Sequence, residues 1–308
     1  MTEYQLSCVS LKSGETIPIP EQTVLCLGNF DGVHRAHRAL LREAVHRRNL
    51  ELRSASVGVF CFRELPAQYL SASFEGKLCS NEERMKRYAE CGIEFVIWAE
   101  FSELRDLSPE QYVNGVLIDV CHAVAVSCGF NHRFGMGGKG DAMLLKRWFG
   151  DRLWLQSEIL VDGLAVSSSR IRMLLKEGMT EAATALLETP YAITAPILHG
   201  KALGRKMGTP TVNQHFPQDS IIPKHGVYVT ECTVKGHIYR GVTNVGYRPT
   251  VDSDGQVNCE TYLLDFNGDL YGQSMTVQFL RYLREERQFE DIASLQTQIL
   301  KDIEAARM

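Results

Sequence analysis

Apolar positions along the chain fall into two textures. From Thr23 to about Leu187, short apolar runs alternate with longer stretches whose apolar residues recur at helical spacing. Thr23-Val-Leu-Cys-Leu27 reads as a buried strand, and Ala39, Leu40, Leu41, Ala44 and Val45 as the inner stripe of a helix running to about Arg48. Ser54–Phe62, Phe95–Trp98, Ala123–Cys128 and Asp151–Ser157 read as further strands. Ser80-Asn-Glu-Glu and Ser108-Pro-Glu are helix starts, each a capping residue followed by acids or proline in the first turn. The inward stripe behind Ser80 is expected at Met85, Tyr88, Ala89 and Cys91, and behind Ser108 at Val113, Val116, Leu117 and Val120. Leu6 to Ile19 reads as a strand pair around Ser13-Gly14, and Arg63 to Lys77 as irregular. Strands alternating with helices predict a parallel, doubly wound α/β sheet.

Beyond Thr189-Pro190 the helical periods stop. Tyr191–Leu198, Gly226–Val234, Ile238–Val245, Glu260–Phe266 and Ser274–Tyr282 read as strands. They are separated by Lys235-Gly236, Asp252-Ser-Asp-Gly255 and Asn267-Gly-Asp269, each a hairpin signal. The pattern predicts an all-β second domain, a small closed antiparallel barrel. A terminal helix follows from about Ile292 to Ala306, with Leu295, Ile299 and Ile303 inward. The expected division is residues 1–186 and 187–308.

Composition narrows the class. A chain of 308 residues has room for two ordinary domains, and 44% hydrophobic with 23% charged residues is typical of a soluble globular protein. A net charge of −4 argues against a broad basic face for nucleic acid. Nine cysteines without a CxxC pair read as reduced, mostly buried thiols. The opening MTEYQLSCVS lacks the features of a signal peptide, and no apolar run reaches the roughly 18 residues of a membrane helix. A cytoplasmic protein is expected, with homo-oligomerisation left open.

Several stretches carry chemistry. Gly28-Asn-Phe-Asp-Gly-Val-His-Arg-Ala-His37 joins a strand end to a helix mouth holding two imidazoles. Such a helix start offers unpaired backbone N–H groups and the positive end of the dipole, which suits phosphate. Histidines there can donate to phosphate oxygens as charge builds on them. Gly129 to Asp141 is a second glycine-rich stretch after a strand end, where ligands of doubly wound sheets sit; a flexible surface loop is the alternative. Val166-Ser-Ser-Ser-Arg-Ile-Arg172 feeds an amphipathic helix, and read alone its serines are an N-cap. His199 to Asn213 is basic and glycine-rich and ends in Pro210-Thr-Val-Asn213. Thr211 and Asn213, two apart on an extended segment, point the same way, and such oxygen ligands suit Mg²⁺; a plain polar turn is the alternative. Glu260 opens an apolar strand, a place where a solvated acid is ordinary.

Gly28, Phe30, Asp31, Gly32, Val33, His34 and His37 resemble the nucleotidyltransferase signature in the form GxFDGVHxGH carried by bacterial FAD synthetases, with Ala36 where the family has glycine. Gly129, Asn131, Phe134 and Gly135 are similar to its GxNFxFG segment, with His132 in an aromatic position and Phe130 in an acidic one. Ser167, Ser168, Ile171 and Arg172 are similar to SSTxIR. The family's Pro-His-Pro-like segment has no match in Cys61 to Pro66. In the second half, Gly208, Pro210, Thr211 and Asn213 resemble the GxPTAN of riboflavin kinases. Asn244, Gly246 and Arg248 to Thr250 resemble NxGxRPT, and Glu260 with Asp265 to Gly272 the strand and GDLYG that follow.

The order of modules is that of bacterial bifunctional riboflavin kinase/FAD synthetases. This resemblance implies a Rossmann-like nucleotidyltransferase domain followed by a kinase barrel. It implies ATP-dependent phosphorylation of riboflavin to FMN, then adenylylation of FMN to FAD with loss of pyrophosphate, both requiring Mg²⁺. Glu260 is then the kinase base, Thr211 and Asn213 hold Mg²⁺, and Gly204, Arg205 and Gly208 wrap the nucleotide. His34 and His37 stabilise the reacting phosphates of the second step. Gly28, Phe30, Asp31, Gly32, Ser167, Ser168 and Arg172 bind ATP there. Asn131, Arg284, Arg287 and Phe289 are the implied flavin contacts. The implied partners are riboflavin, FMN, FAD and ATP/ADP, with no nucleic acid and no membrane. Ala36 and the altered 61–66 segment motivate the alternative of a riboflavin kinase with a weakened adenylyltransferase half. A flavin-binding regulator is a second alternative, against which Glu260, Thr211 and Asn213 stand together.

Overall fold

The computed structural model describes residues 1–6, 18–198, 209–247 and 257–308. They form two units: Met1–Phe74 with Ser80–Ser167, and Glu75–Cys79 with Ser168–Met308.

The first unit is built on six parallel strands, β1 (Thr2–Gln5), β2 (Thr23–Leu27), β3 (Ser56–Phe62), β4 (Phe95–Ala99), β5 (Ala123–Gly129) and β6 (Leu153–Gln156), in the spatial order β1-β4-β3-β2-β5-β6. Every residue of β2 is buried, as the apolar run requires of a central strand covered on both faces. Val24 and Cys26 face a layer containing Leu40, Leu41 and Ala44 of helix α1 (Arg35–Glu51) and Tyr88 of α2 (Asn81–Glu90). Leu25 and Leu27 face the opposite layer, with Val113, Val116 and Leu117 of α3 (Tyr112–Val120) and Leu145 of α4 (Ala142–Phe149). The doubly wound reading therefore holds.

Four local differences from the sequence reading have physical causes. Strand β1 was not anticipated, because Thr-Glu-Tyr-Gln is polar and lies at the sheet edge; most of the expected strand pair around Ser13 falls outside the described residues. One helical turn, Pro66–Leu70, interrupts the segment expected to be irregular. Helix α3 is wound wide, with the Cys121 amide donating five residues back to the Val116 carbonyl at 2.9 Å. On α2 the buried stripe is Arg84, Arg87 and Tyr88, while Ala89 is exposed.

The second unit opens with α5 (Ser168–Lys176) and α6 (Thr180–Leu187). Six antiparallel strands follow: β7 (Tyr191–Pro196), β8 (Thr211–His215), β9 (Gly226–Val234), β10 (His237–Tyr247), β11 (Val257–Leu263) and β12 (Ser274–Arg284), ordered β7-β12-β9-β10-β11-β8. Lys235 and Gly236 both take positive φ, 51° and 78°, making the two-residue turn between β9 and β10 that right-handed strand twist favours. The expected turn at Asp252–Gly255 lies outside the described residues.

Tyr191, Tyr228 and Phe279 fill the curl of the sheet, and a chain of hydroxyls links Thr230, Thr243 and Thr261 at 2.8 and 2.9 Å. Among the described residues the two edges meet at one bridge, Leu198 with Asn213. The buried Gln214 amide reinforces it, donating to the carbonyls of Ala195 (2.6 Å) and Met275 (2.8 Å). Helix α7 (Ile292–Arg307) covers the outer face through Ile303 and Ala306, against Val229, Val242, Tyr262, Leu264 and Leu280.

Gly226 starts β9 at φ 143°, and a side chain there would meet the Arg284 carbonyl oxygen and the Tyr282 ring. Gly226→Ala is expected to lower the stability of this unit by about 1–3 kcal/mol, read as a lower urea midpoint at unchanged slope.

Candidate active sites

Strands β2 and β5 are neighbours, with Leu27 opposite Cys128, yet the chain leaves β2 towards β3 and returns to β5 on the other side. This is the switch point at which open parallel sheets bind ligands beyond their carboxyl ends. Both glycine-rich stretches of the first unit emerge there.

The turn after β2 is tight. Phe30, Gly32 and Val33 have φ of 49°, 78° and 40°. For Phe30 and Val33 the left-handed conformation costs roughly 1–2 kcal/mol each. Phe30 is buried, with its ring over Gly28, so it floors the turn. Asp31 and Gly32 are buried too. His34 is the N-cap of α1: its Nδ1 accepts from the His37 amide at 3.4 Å, which leaves the proton of the neutral ring on Nε2. The two imidazoles stack at 3.5 Å between centroids, and Phe30 meets His37 edge-on at 5.2 Å. Burial pushes the His34 imidazole down to about 4. Burial, then the neighbouring His34, holds His37 well below the ordinary range. The pair is neutral at pH 7 and offers N–H donors rather than charge. Ala36 has no positive φ, so the alanine in the family's glycine position carries no backbone strain.

Two buried arginines of α2 hold this turn from behind. Arg84, 1% exposed, donates to the carbonyls of Asn29 (3.0 Å), Phe62 (3.1 and 3.2 Å) and Arg63 (2.9 Å), contacts the Asn81 side chain, and lies 4.8 Å from the Trp98 ring centroid. Arg87, 4% exposed, donates to the Gly32 carbonyl at 2.6 Å and pairs with Glu83 at 2.8 Å. Sequence reading missed both; the signal was their place on the helical stripe that contains Tyr88.

The loop after β5 places Asn131 at the surface, its Oδ1 close to Gly129. Next to it in sequence, His132 starts a run of rings with Phe134, Tyr112 and Phe60, successive centroids 5.9, 5.3 and 5.9 Å apart. Gly135, at φ 71°, passes within contact of the Pro109 backbone where no side chain fits. Burial lowers His132 to about 4, and its Nε2 is buried without a hydrogen-bond partner. Ser167 ends the first unit, whereas Ser168 and Arg172 belong to α5 of the second. The Arg172 Nε donates to the Gly76 carbonyl at 2.8 Å.

In the second unit the register assembles the polar residues. Asn213 on β8, Glu260 on β11 and Asn244 on β10 lie directly opposite one another across three adjacent strands. Thr211, two residues before Asn213, donates to Glu260 Oε1 at 2.5 Å, and Asn258 donates to Asn213 Oδ1 at 3.2 Å. Asn244 donates to Glu286 at 2.7 Å, and that carboxylate occupies the space a side chain on Gly246 would need. The amide oxygens of Asn244 and Asn258 are buried without hydrogen-bond partners. This is a set of oxygen donors without sulfur or imidazole, the chemistry that fits Mg²⁺ with phosphate.

Arg284 grips Asp302 of α7 at 2.7–3.1 Å, and Arg284 and Arg287 lie 5.9 and 5.1 Å from the Phe289 ring centroid. Arg287 also contacts Gln298. Asn258 and Glu286 are further polar members that sequence reading did not single out. Gly204, Arg205, Gly208 and Arg248 to Thr250 lie outside the described residues.

Comparison with known proteins gives the family. The FAD synthetase family profile matches residues 16–170, and the riboflavin kinase profile residues 187–308. A bifunctional riboflavin kinase/FMN adenylyltransferase of Pseudomonas fluorescens is 34% identical over 92% of each chain. The chain belongs to the bifunctional riboflavin kinase/FMN adenylyltransferase family. Members from Escherichia coli K12 and Bacillus subtilis 168 are 33% and 32% identical, each covering at least 92% of both chains. A crystal structure from Streptococcus pneumoniae, described as a macrolide-efflux protein, superposes with a TM-score of 0.89 at 26% identity, covering 100% of this chain and 99% of its own. Among the described residues of this family member, no helix is long and apolar enough to cross a membrane.

The depressed imidazoles set an acid limit. Unfolded, His34 and His132 bind a proton near 6.5; folded, each does so only near 4. Acid therefore favours the unfolded chain. The stabilisation is complete above pH 6.5 and is lost as pH falls towards 4. Each such group costs ~2 kcal/mol at pH 5. Urea midpoints measured between pH 7 and 5 should fall, and His132→Phe should fall less.

Proposed function

We infer that this protein makes FAD from riboflavin in two ATP-dependent steps. In the first, the ribityl hydroxyl of riboflavin attacks the γ-phosphorus of ATP, giving FMN and ADP. In the second, a phosphate oxygen of FMN attacks the α-phosphorus of another ATP, giving FAD and pyrophosphate. The observation that carries this reading is the presence of both catalytic domains in one chain, matched to bifunctional relatives along 92% of its length. It favours the two-step enzyme over a riboflavin kinase with a weakened adenylyltransferase half.

In the kinase step Glu260 takes the hydroxyl proton, with Thr211 fixing the carboxylate by its 2.5 Å hydrogen bond. Placement matters here more than basicity. Thr211 and Asn213 would hold Mg²⁺, which when bound neutralises the phosphate oxygens. In the adenylyl step His34 and His37 donate to the reacting phosphates from the mouth of α1. Gly28, Phe30, Asp31 and Gly32 shape the turn beside them. Ser167, Ser168 and Arg172 are assigned to the ATP phosphates by resemblance. Asn131, exposed on the loop after β5, is assigned to the flavin by resemblance, and the buried rings of Phe134, Tyr112 and Phe60 support that loop from the core. Arg284, Arg287 and Phe289 are assigned to the flavin of the kinase step, again by resemblance. The buried free thiols suit a reducing, cytoplasmic setting.

The test is incubation with riboflavin and MgATP, with FMN and FAD resolved by chromatography. Both products are expected, FMN first, and chelation of magnesium should stop both. Glu260→Gln should slow FMN formation by about 10²-fold or more while leaving FAD formation from supplied FMN intact. His37→Ala should do the reverse. FMN without FAD from the unaltered chain would sink the second step.

A further inference from the structure

We propose that Arg87, with Arg84 beside it, is a positioning residue of the adenylyl-transfer site. It fixes the Gly32 peptide, and through it the His34–His37 stack that receives the ATP phosphates. This rests on the reading of residues 28–37 as the phosphate turn.

Three observations lead here. The first is backbone conformation. Phe30, Gly32 and Val33 are all left-handed, two of them with side chains that disfavour it. Such residues persist only where their surroundings over-determine them. The hydrogen bond within the turn, Val33 amide to Phe30 carbonyl at 3.0 Å, accounts for one peptide. The carbonyls of Asn29 and Gly32 are held by Arg84 and Arg87.

The second observation is direction. A trans peptide is planar, so a carbonyl gripped from below aims the following N–H the opposite way. Arg84 on the Asn29 carbonyl turns the Phe30 amide away from α2. Arg87 on the Gly32 carbonyl sets the plane that leads through Val33 into His34, whose extended backbone (φ −70°, ψ 174°) caps α1. A shift of that peptide would move the imidazole that stacks on His37.

The third is the choice of side chain at a buried position. The helical stripe shared with Tyr88 ordinarily takes apolar residues, and desolvating a guanidinium there is costly. Here it is met by several fixed acceptors at once, as a planar five-donor group can be and an ammonium cannot. Glu83 compensates the charge of Arg87 at 2.8 Å, so what Arg87 adds to the turn is a fixed hydrogen-bond donor.

The test uses the full-length chain. FMN adenylylation is measured with ATP and FMN varied separately, and riboflavin phosphorylation is measured on the same preparations. Arg87→Leu is expected to raise KM for ATP in adenylylation by about tenfold or more and to lower kcat. KM for FMN and the kinase rate should stay close to those of the unaltered protein. Arg87→Lys, keeping the charge without the fork, should recover part of the loss. Unchanged ATP kinetics in Arg87→Leu would overturn the proposal. If Arg87→Leu loses both activities, Arg87→Lys decides: a selective ATP defect supports the role, whereas no defect, or one spread equally over ATP and FMN, overturns it. His37→Ala, run alongside, separates the two readings. Undiminished adenylylation by that variant removes the assigned phosphate turn and this inference with it. Loss in His37→Ala with normal kinetics in Arg87→Leu overturns the inference alone.

Discussion

A turn that leaves a buried parallel sheet must still find donors for its carbonyls, and after β2 those of Asn29 and Gly32 are met by guanidinium groups. A turn with three left-handed residues cannot satisfy its own peptides by regular pairing. Arg84 joins the end of β3 to the turn after β2 by bonding Phe62, Arg63 and Asn29 together, while stacking on Trp98 from β4. The turn after β2 is thus fixed by a satisfied polar cluster as well as by the apolar core.

The two units gather their candidate site residues by different geometries. In the first, the candidate residues lie on loops, and topology starts those loops side by side: β2 and β5 are adjacent, and both turns leave at their carboxyl ends. In the second, the sheet itself carries it. Asn213, Glu260 and Asn244 are aligned by cross-strand register, and the period-two alternation that sends them outward sends Gln214, Thr243 and Thr261 into the curl. A one-residue slip of β8 would exchange Asn213 for Gln214 and dismantle both the polar row and the edge closure.

Much of this was legible in the chain. The change from helical to alternating period marked the two architectures, Ser80 and Ser108 capped the helices expected of them, and Thr211 and Asn213 could be placed on one side of an extended segment. What escaped had a common cause. Periodicity registers apolar residues, so a helix whose inner face is Arg84 and Arg87 reads as if it faced outward there. The edge strand β1 is polar because three of its four residues are exposed to water. Asn258 and Glu286 draw their significance from register and from the empty side of Gly246, which only three dimensions supply. The wide winding of α3 leaves no composition mark.

The short segment Glu75–Cys79 is worked into the second unit although both its flanks belong to the first. Lys77 bridges Ser220, its amide donating to the Asp219 carbonyl and its carbonyl accepting from Ile221, while Gly76 is held by Arg172 and Glu75 by Lys176. Neither unit is therefore a contiguous stretch of polypeptide. No single break between codons could divide this gene into two halves that each encode a whole unit; the later half would always leave part of its own scaffold behind on the earlier one.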